Sequence, residues 1–324
     1  MIKKKIKYFL RKSPECIRHI QYIYNVLLKR ERLMKKVSYG EKNPDKKFLV
    51  IRPNSEDGVQ GLMSLFIQNM RWIEYANRNN YEPYVDFLNY KTQYYDGKTN
   101  AWEYYFKQNI SYDEIKESKN IIISGSTWRE TIDYELFRDR IFKDIQFAQY
   151  CNSLIWNNLS LSDEAEEILS KESERLNINK CLGVYIRGTD YASLKPTGEY
   201  VQPDINAVVK KTKEFLVKYE EVAIFLVTED GRYYNKMKAE FGDKILLASY
   251  DKFIENYDGK NYLSKSNVLD VNRKKRGMEY LVKILLLSKC KYLVSSITMG
   301  SLAAYSFNGG IYEDSYIFEL GYYK

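Results

Sequence analysis

The 324-residue chain carries a single histidine, His19, and four cysteines, Cys16, Cys151, Cys181 and Cys290, with no CxxC pair among them. That scarcity removes whole classes of chemistry. Ser–His and Cys–His nucleophilic catalysis and multi-histidine metal centres need residues that are not there. Widely spaced cysteines make neither a disulfide framework nor a zinc site. Cys181 and Cys290 fall inside apolar runs, where a free thiol behaves as a small hydrophobe, and a reducing, cytoplasmic compartment fits. No apolar run approaches the roughly 20 residues of a membrane-spanning helix. No small-residue cleavage site follows a signal-like stretch, and no Gly-Lys-Ser/Thr marks a Walker loop. Internal repeats and low-complexity segments are absent as well.

What is present is unevenly distributed. The net charge is +8, but residues 1–36 hold twelve Lys/Arg against Glu15 and Glu31, a net +10 that leaves the rest of the chain at −2. A nucleic-acid binder carries its basic footprint on the folded domain, so this pattern argues against nucleic acid as a partner. Ser13, Pro14 and Glu15 make a helix start, and Ile17, Ile20, Tyr24, Leu27 and Leu28 recur at helical spacing. Such a helix either lies on an anionic membrane surface or packs on the body with a solvated basic face. Tyrosine is abundant, 31 residues against 4 tryptophans, which suits either polar clefts or the codon bias of an AT-rich genome.

Beyond a charged linker at 38–47, continuous apolar runs alternate with helical patterns. Strands are expected at 47–53, 81–90 and 120–126, with an aromatic helical turn at 100–108 and a helix at 162–176. The second half reads more regularly: strands at 181–187, 221–230, 244–249 and 291–296, helices at 203–219, 233–241 and 276–288. Apolar strands alternating with helices predict parallel sheets covered on both faces. Such sheets bind ligands at the carboxyl ends of their strands, and polar residues gather there: Arg187 and Asp190, Thr228 to Asp230, Ser249, and Ser295 to Thr298. Arg187, ending "CLGVYIR", offers a donor fork suited to phosphate oxygens; its structural alternative is an ion pair to Asp190 or Glu229. Ser295, Ser296 and Thr298 precede small residues that open a helix, a second place for a diphosphate. In the first half, Gly58 and Gly61 lead into a helix, either as a close-packed turn or as an anion-binding loop.

"GVYIRGTDY", "IFLVTEDGRYYNKMKAEFGDKI" and "RGMEYLVKILLLSKCKYLVSSITMGSLAA" resemble, in collinear order, the three signature segments of the fucosyltransferase superfamily. That superfamily includes the α-1,6-, nodulation-factor, α-1,2- and protein O-fucosyltransferases. "GLMSLFIQNMRWIEYANRNNYEPYVDF" and "NAWEYYF" look like its bacterial surface-polysaccharide members, and the resemblance spans residues 47–324. It implies an α/β, GT-B-like fold: two Rossmann-like domains facing a cleft, here expected at 39–176 (acceptor side) and 177–324 (nucleotide-sugar side), after a basic N-terminal helix at 1–38. It implies inverting transfer from GDP-fucose with no metal or other cofactor required. The partners implied are a nucleotide-sugar donor and a glycan or lipid-linked glycan acceptor.

By position, Arg187 falls on the arginine that binds the donor diphosphate and Asp190 on the motif aspartate. Tyr185, Thr228, Asp230, Glu279, Ser295, Ser296 and Thr298 fall around the donor. Tyr185 stands where the family has histidine, Gly188 where many members have a second arginine, and Lys283 where an acid reading guanine is expected. An inverting transferase needs a base; without a suitable histidine, Glu199 in "KPTGEYVQP" is the first candidate and Asp190 the second. Asp57, Gly58, Gly61 and Asp86 are the acceptor-side candidates. The expected activity is therefore a glycosyltransferase building a capsular or other surface polysaccharide in the cytoplasm, with residues 1–36 at the inner face of the membrane. Its rivals are a transferase of the same fold using another nucleotide sugar, and a non-catalytic nucleotide- or carbohydrate-binding protein.

Overall fold

The structure is a computed structural model and describes residues 19–20, 23–24, 26–28, 32–54, 60–125, 130–255, 257, 259, 263 and 272–324. The chain divides into two compact units, Met1–Glu164 and Ala165–Lys324. The helix expected at 162–176 thus belongs mostly to the second unit, and the division falls before the expected 176/177 boundary.

The first unit contains β1 (Lys35–Val37), β2 (Phe48–Ile51), α1 (Leu62–Arg78), β3 (Glu82–Val85), β4 (Phe106–Gln108), α2 (Tyr112–Ile115), β5 (Ile121–Ile123), α3 (Tyr134–Lys143), α4 (Ile145–Asn158) and β6 (Leu159–Leu161). Its main sheet runs β1-β5-β2-β3, with β2 parallel to both β3 and β5 and β1 antiparallel to β5. Phe48, Val50, Tyr84, Ile115, Ile121 and Ile123 form one core cluster. α1 is buried on nearly every side from Leu62 to Ala76; even its polar stripe is largely covered, with Gln68 donating to the Arg52 carbonyl and Arg71 to the Ile132 carbonyl.

Three expectations change here. β1 takes residues 35–37 into the sheet, where Lys35 to Val37 pair with Ile123 to Ile121, so they are not part of a separate leader. The supposed linker is pinned down: Tyr39 and Gly40 donate to the Ser118 carbonyl, and Lys42 bridges Ser118. The aromatic segment expected as a helical turn over 100–108 turns only as far as Tyr105, Phe106 N donating to the Trp102 carbonyl at 3.1 Å. Asn100 Oδ1 accepts from the N–H groups of Phe87 and Trp102 and fixes the start of that turn. Phe106 to Gln108 then pair antiparallel with Leu161 to Leu159.

The second unit contains α5 (Asp163–Leu176), β7 (Leu182–Tyr185), α6 (Thr189–Leu194), α7 (Ile205–Lys218), β8 (Ile224–Val227), α8 (Gly231–Phe241), β9 (Ile245–Leu246), α9 (Arg273–Lys289), β10 (Tyr292–Ser296), α10 (Met299–Asn308) and β11 (Asp314–Phe318). Its sheet is parallel throughout, in the order β11-β10-β7-β8-β9. Even-numbered strand residues (Leu182, Val184, Ile224, Leu226, Tyr292, Val294) enter one core cluster with α7 and α8 residues such as Val208 and Met237. Alternation puts the odd-numbered residues on the opposite face, where Tyr185 meets Tyr280 of α9.

The strand order locates a ligand site before any side chain is considered. From β7 the chain moves to β8 and β9 on one side; β10 and β11 then lie on the other. The order therefore reverses between β7 and β10, a topological switch point, and in open α/β sheets the crevice beyond the strand carboxyl ends binds ligand there. The first sheet has a counterpart between β2 and β5.

Candidate active site

β7 ends in Ile186 and Arg187, and the chain then turns sharply. Gly188 has φ −103° and ψ −118°, and Thr189 takes φ +27°, a left-handed value that a β-branched residue adopts only at a cost. The β8 exit holds that turn in place. Gly188 N donates to Glu229 Oε1 (3.1 Å), Thr189 Oγ1 to the same oxygen (2.8 Å), and Thr189 N to Asp230 Oδ2 (2.9 Å). A Cβ on residue 188 would lie 2.4 Å from Asp230 Oδ2. Glycine at 188 is therefore a requirement of this packing.

Arg187 sits between carboxylates. Its Nη2 donates to Asp190 Oδ1 at 2.8 Å, its Nε lies 3.4 Å from Glu229 Oε1, and its guanidinium carbon is 4.7 Å from the centre of the Tyr191 ring. Among the described residues the buried Nε–H makes no hydrogen bond, only the ion-pair contact with Glu229, which leaves the fork a donor to offer. Burial alone would loosen the Arg187 proton, but Glu229 and then Asp190 outweigh it and hold the group protonated more firmly than usual. Asp190 is buried with both oxygens occupied: Oδ1 also accepts from Tyr191 N (3.0 Å), and Oδ2 accepts from Leu263 N (3.1 Å).

Asp230, fully buried, caps α8. Its Oδ1 accepts from Arg232 N (2.9 Å) and Nε (3.0 Å), and its Oδ2 from Arg232 Nη2 (2.6 Å). Burial pushes this carboxyl up, yet the Arg232 guanidinium and the Thr189 N–H win and hold it below its ordinary value of 3.8. Thr228 Oγ1 accepts from Asp230 N (3.2 Å) and so shapes the same turn. Two arginines, 187 and 232, thus stand among three carboxylates, 190, 229 and 230.

On the other side of the switch point, the hydroxyls at the end of β10 and just beyond it are committed to partners within the unit. Ser295 donates to the Ser296 carbonyl (3.1 Å), and Ser296 donates to Gln202 Oε1 (2.6 Å). Thr298 caps α10 in a capping box with Ser301. α10 begins close against the phenols of β7 and α9. Tyr185 and Tyr280 share a hydrogen bond of 2.9 Å, and a Cβ on residue 300 would lie 2.6 Å from both hydroxyls, so only glycine fits. Burial pushes both phenols up, which keeps them neutral.

Glu199 is half-buried in the loop before α7. Its backbone is tied to the C-terminal segment, its carbonyl accepting from Tyr323 N at 2.9 Å. Burial first, and then the Glu199 charge, push the Tyr191 phenol upward, which brings Glu199 into the neighbourhood of the ring that carries Arg187. Glu279 sits on α9, 3.9 Å from Lys275. Lys283, where an acid was expected, holds Asp251 at 2.7 Å in a largely buried pair.

Of the first-unit candidates, Asp57 and Gly58 lie outside the described residues. Gly61 precedes α1 at φ −70° with open space where a Cβ would go, so neither strain nor close packing demands glycine there. Asp86 is buried and makes a local turn, its Oδ1 accepting from Leu88 N and Asn89 N and its Oδ2 from Asn89 Nδ2. Sequence reading missed Arg232, Gln202 and Tyr280. Only Arg232 carried a signal, as a cation two residues after the acid that caps α8.

Among the described residues, no group of three or more His, Cys, Asp or Glu is placed to hold a metal ion, and no helix is long and apolar enough to cross a membrane. Burial pushes the Cys151 thiol up to about 12 and the Cys181 thiol up to about 11, which leaves neither as a nucleophile at neutral pH.

No family model and no curated protein match the chain. Among solved structures it is similar to the fucosyltransferase NodZ from Bradyrhizobium, at 13% identity and a TM-score of 0.46, covering 80% of this chain and 93% of that one. It is also similar to a mutant of Arabidopsis thaliana FUT1 in complex with GDP, at 12% identity and a TM-score of 0.44, covering 84% and 70% respectively. POFUT1 in complex with GDP is similar at 9% identity and a TM-score of 0.39, covering 86% and 75%.

Proposed function

We propose that this chain is an inverting glycosyltransferase that moves fucose from GDP-fucose to a hydroxyl of a glycan, with a capsular or surface-polysaccharide precursor as the acceptor. One observation carries the reading: the three segments with the superfamily's motif pattern converge on a single sheet edge, at the switch point between β7 and β10. There Arg187 keeps its charge and, among the described residues, an Nε–H without a hydrogen bond.

In this reading the donor diphosphate lies between Arg187 and the start of α10, where the guanidinium and the helix N-terminus neutralise the leaving group. The same charge would do the work of a cation, so transfer proceeds without a metal. Tyr185, Tyr280 and Gly300 shape the floor of that site; Thr228, Asp230, Ser295, Ser296 and Thr298 hold its walls. Glu199 is the base, because Asp190 has both oxygens engaged and serves to position Arg187. Glu199→Gln should therefore cost about 10²- to 10⁴-fold in kcat while leaving GDP affinity unchanged.

The test is GDP release from GDP-fucose in the presence of candidate glycans, with and without a chelator. Release that depends on acceptor and ignores the chelator supports the reading; donor binding without any transfer would make the protein a binder only. A second reading, the same reaction with another nucleotide sugar, is favoured by Lys283, which pairs with Asp251 at the position where the resemblance implies an acid that reads guanine. Thermal-shift titration with GDP, UDP, CDP and dTDP separates the two.

A further inference from the structure

Five of the chain's exposed large apolar side chains lie within nine residues near the N-terminus. Ile20 is 49% exposed, Ile23 52%, Tyr24 47%, Leu27 69% and Leu28 67%. The residues described here, 19–20, 23–24 and 26–28, are helical. At about 100° per residue, those five side chains fall within an arc of about 140°. A surface helix normally turns such a stripe inward, as α1 does with Leu65, Phe66 and Trp72, all at most 1% exposed. Here the stripe faces outward, and it belongs to the segment whose net charge is +10 while the rest of the chain is near neutral.

We propose that the stripe of Ile20, Ile23, Tyr24, Leu27 and Leu28 docks on an anionic lipid bilayer, its side chains entering the headgroup boundary while the lysines and arginines of the surrounding sequence meet acidic headgroups. Charge and apolarity together select this occupant. A nucleic acid would satisfy the cations and leave the leucines in water. A second copy of the chain would cover the leucines but bring two +10 segments together. A bilayer containing acidic lipid answers both features at once, and it holds the enzyme on the surface without crossing it.

The experiment is sedimentation of the full-length protein with vesicles of phosphatidylcholine alone or mixed with phosphatidylglycerol. Three proteins are compared: wild type, Leu27→Asp/Leu28→Asp and Lys3→Gln/Lys4→Gln/Lys5→Gln. Thermal unfolding of each confirms that the fold is intact. Wild type should pellet with the mixed vesicles only. Each variant should bind at least about tenfold more weakly, and raising salt should weaken wild type further. Wild type left in the supernatant with mixed vesicles overturns the proposal. So does binding indifferent to the leucine pair, or a dimer in sedimentation velocity that the leucine pair abolishes. Duplex DNA binding that the lysine substitutions remove, without vesicle binding, would assign the segment to nucleic acid instead.

Discussion

The two units end a central strand in the same dipeptide and use it differently. β2 runs into Ile51–Arg52 and β7 into Ile186–Arg187, each beside the point where its sheet reverses order. Each guanidinium lies over a tyrosine ring, Arg52 at 5.7 Å from Tyr90 and Arg187 at 4.7 Å from Tyr191. Arg52 is buried and donates its Nε to the Ser124 carbonyl at 2.8 Å, tying β2 to the end of β5. Arg187 instead meets two carboxylates, and among the described residues its Nε–H makes no hydrogen bond. The contrast separates an arginine spent on joining two strands from one held charged and oriented by groups that an incoming anion can rival. Position at a switch point is common to both; what the fork touches is what differs.

The comparison breaks most visibly at Arg187 itself. Arg187→Ala leaves Asp190 and Glu229 buried without their cation and should cost about 3–5 kcal/mol in chemical denaturation. Adding Asp190→Asn and Glu229→Gln should return a sizeable part of that loss, since the three residues form one network. If the triple variant is no more stable than Arg187→Ala, the carboxylates are not what Arg187 balances.

A smaller effect is expected at Gly188. Gly188→Ala drives a methyl group into the Asp230 carboxylate and should cost about 1–3 kcal/mol in the same assay. In an Asp230→Ala background the cost should shrink, because the clash has gone. Full additivity would mean that the turn, rather than Asp230, demands glycine.

Glu229→Gln sharpens the comparison from the other side. Removing one carboxylate that competes for Arg187 should tighten GDP binding about 3- to 10-fold, the size of a partly exposed charge effect. Weaker binding would show that Glu229 helps the ligand by fixing the 188–189 turn more than it hinders by charge.

The smallest signal is in acid. Asp230 releases its proton more readily folded than unfolded, so its contribution is complete above the ordinary value of 3.8 and fades as pH falls through its lower folded pKa. Asp230→Asn should flatten the loss of stability below about pH 4. An unchanged slope would place the acid sensitivity elsewhere.

Much of this fold was legible because the central strands are continuous apolar runs: FLVI, LGVY, IFLV and YLVSS are buried throughout. The short strands were not legible for a physical reason. KKV of β1 and FKQ of β4 carry exposed lysines, and pairing rather than composition makes them strands. At the site, the chain announced Arg187 and its possible acidic partners, but the same pattern ends β2 at Arg52, so what each fork touches is told only by the fold. It did not announce that Ser295, Ser296 and Thr298 would spend their hydroxyls on each other, on Gln202 and on Ser301. Nor did it announce the Tyr185–Tyr280 pair, whose members are 95 residues apart in sequence. Such partnerships exist only once the sheet has brought distant segments together.

The most direct measurement is isothermal titration of GDP, with UDP as control, into wild type, Arg187→Ala and Arg52→Ala. The account predicts GDP binding in wild type, a loss of at least about 100-fold in Arg187→Ala, and affinity within about threefold of wild type in folded Arg52→Ala. Equal losses at the two arginines, or GDP binding that survives Arg187→Ala, would contradict it.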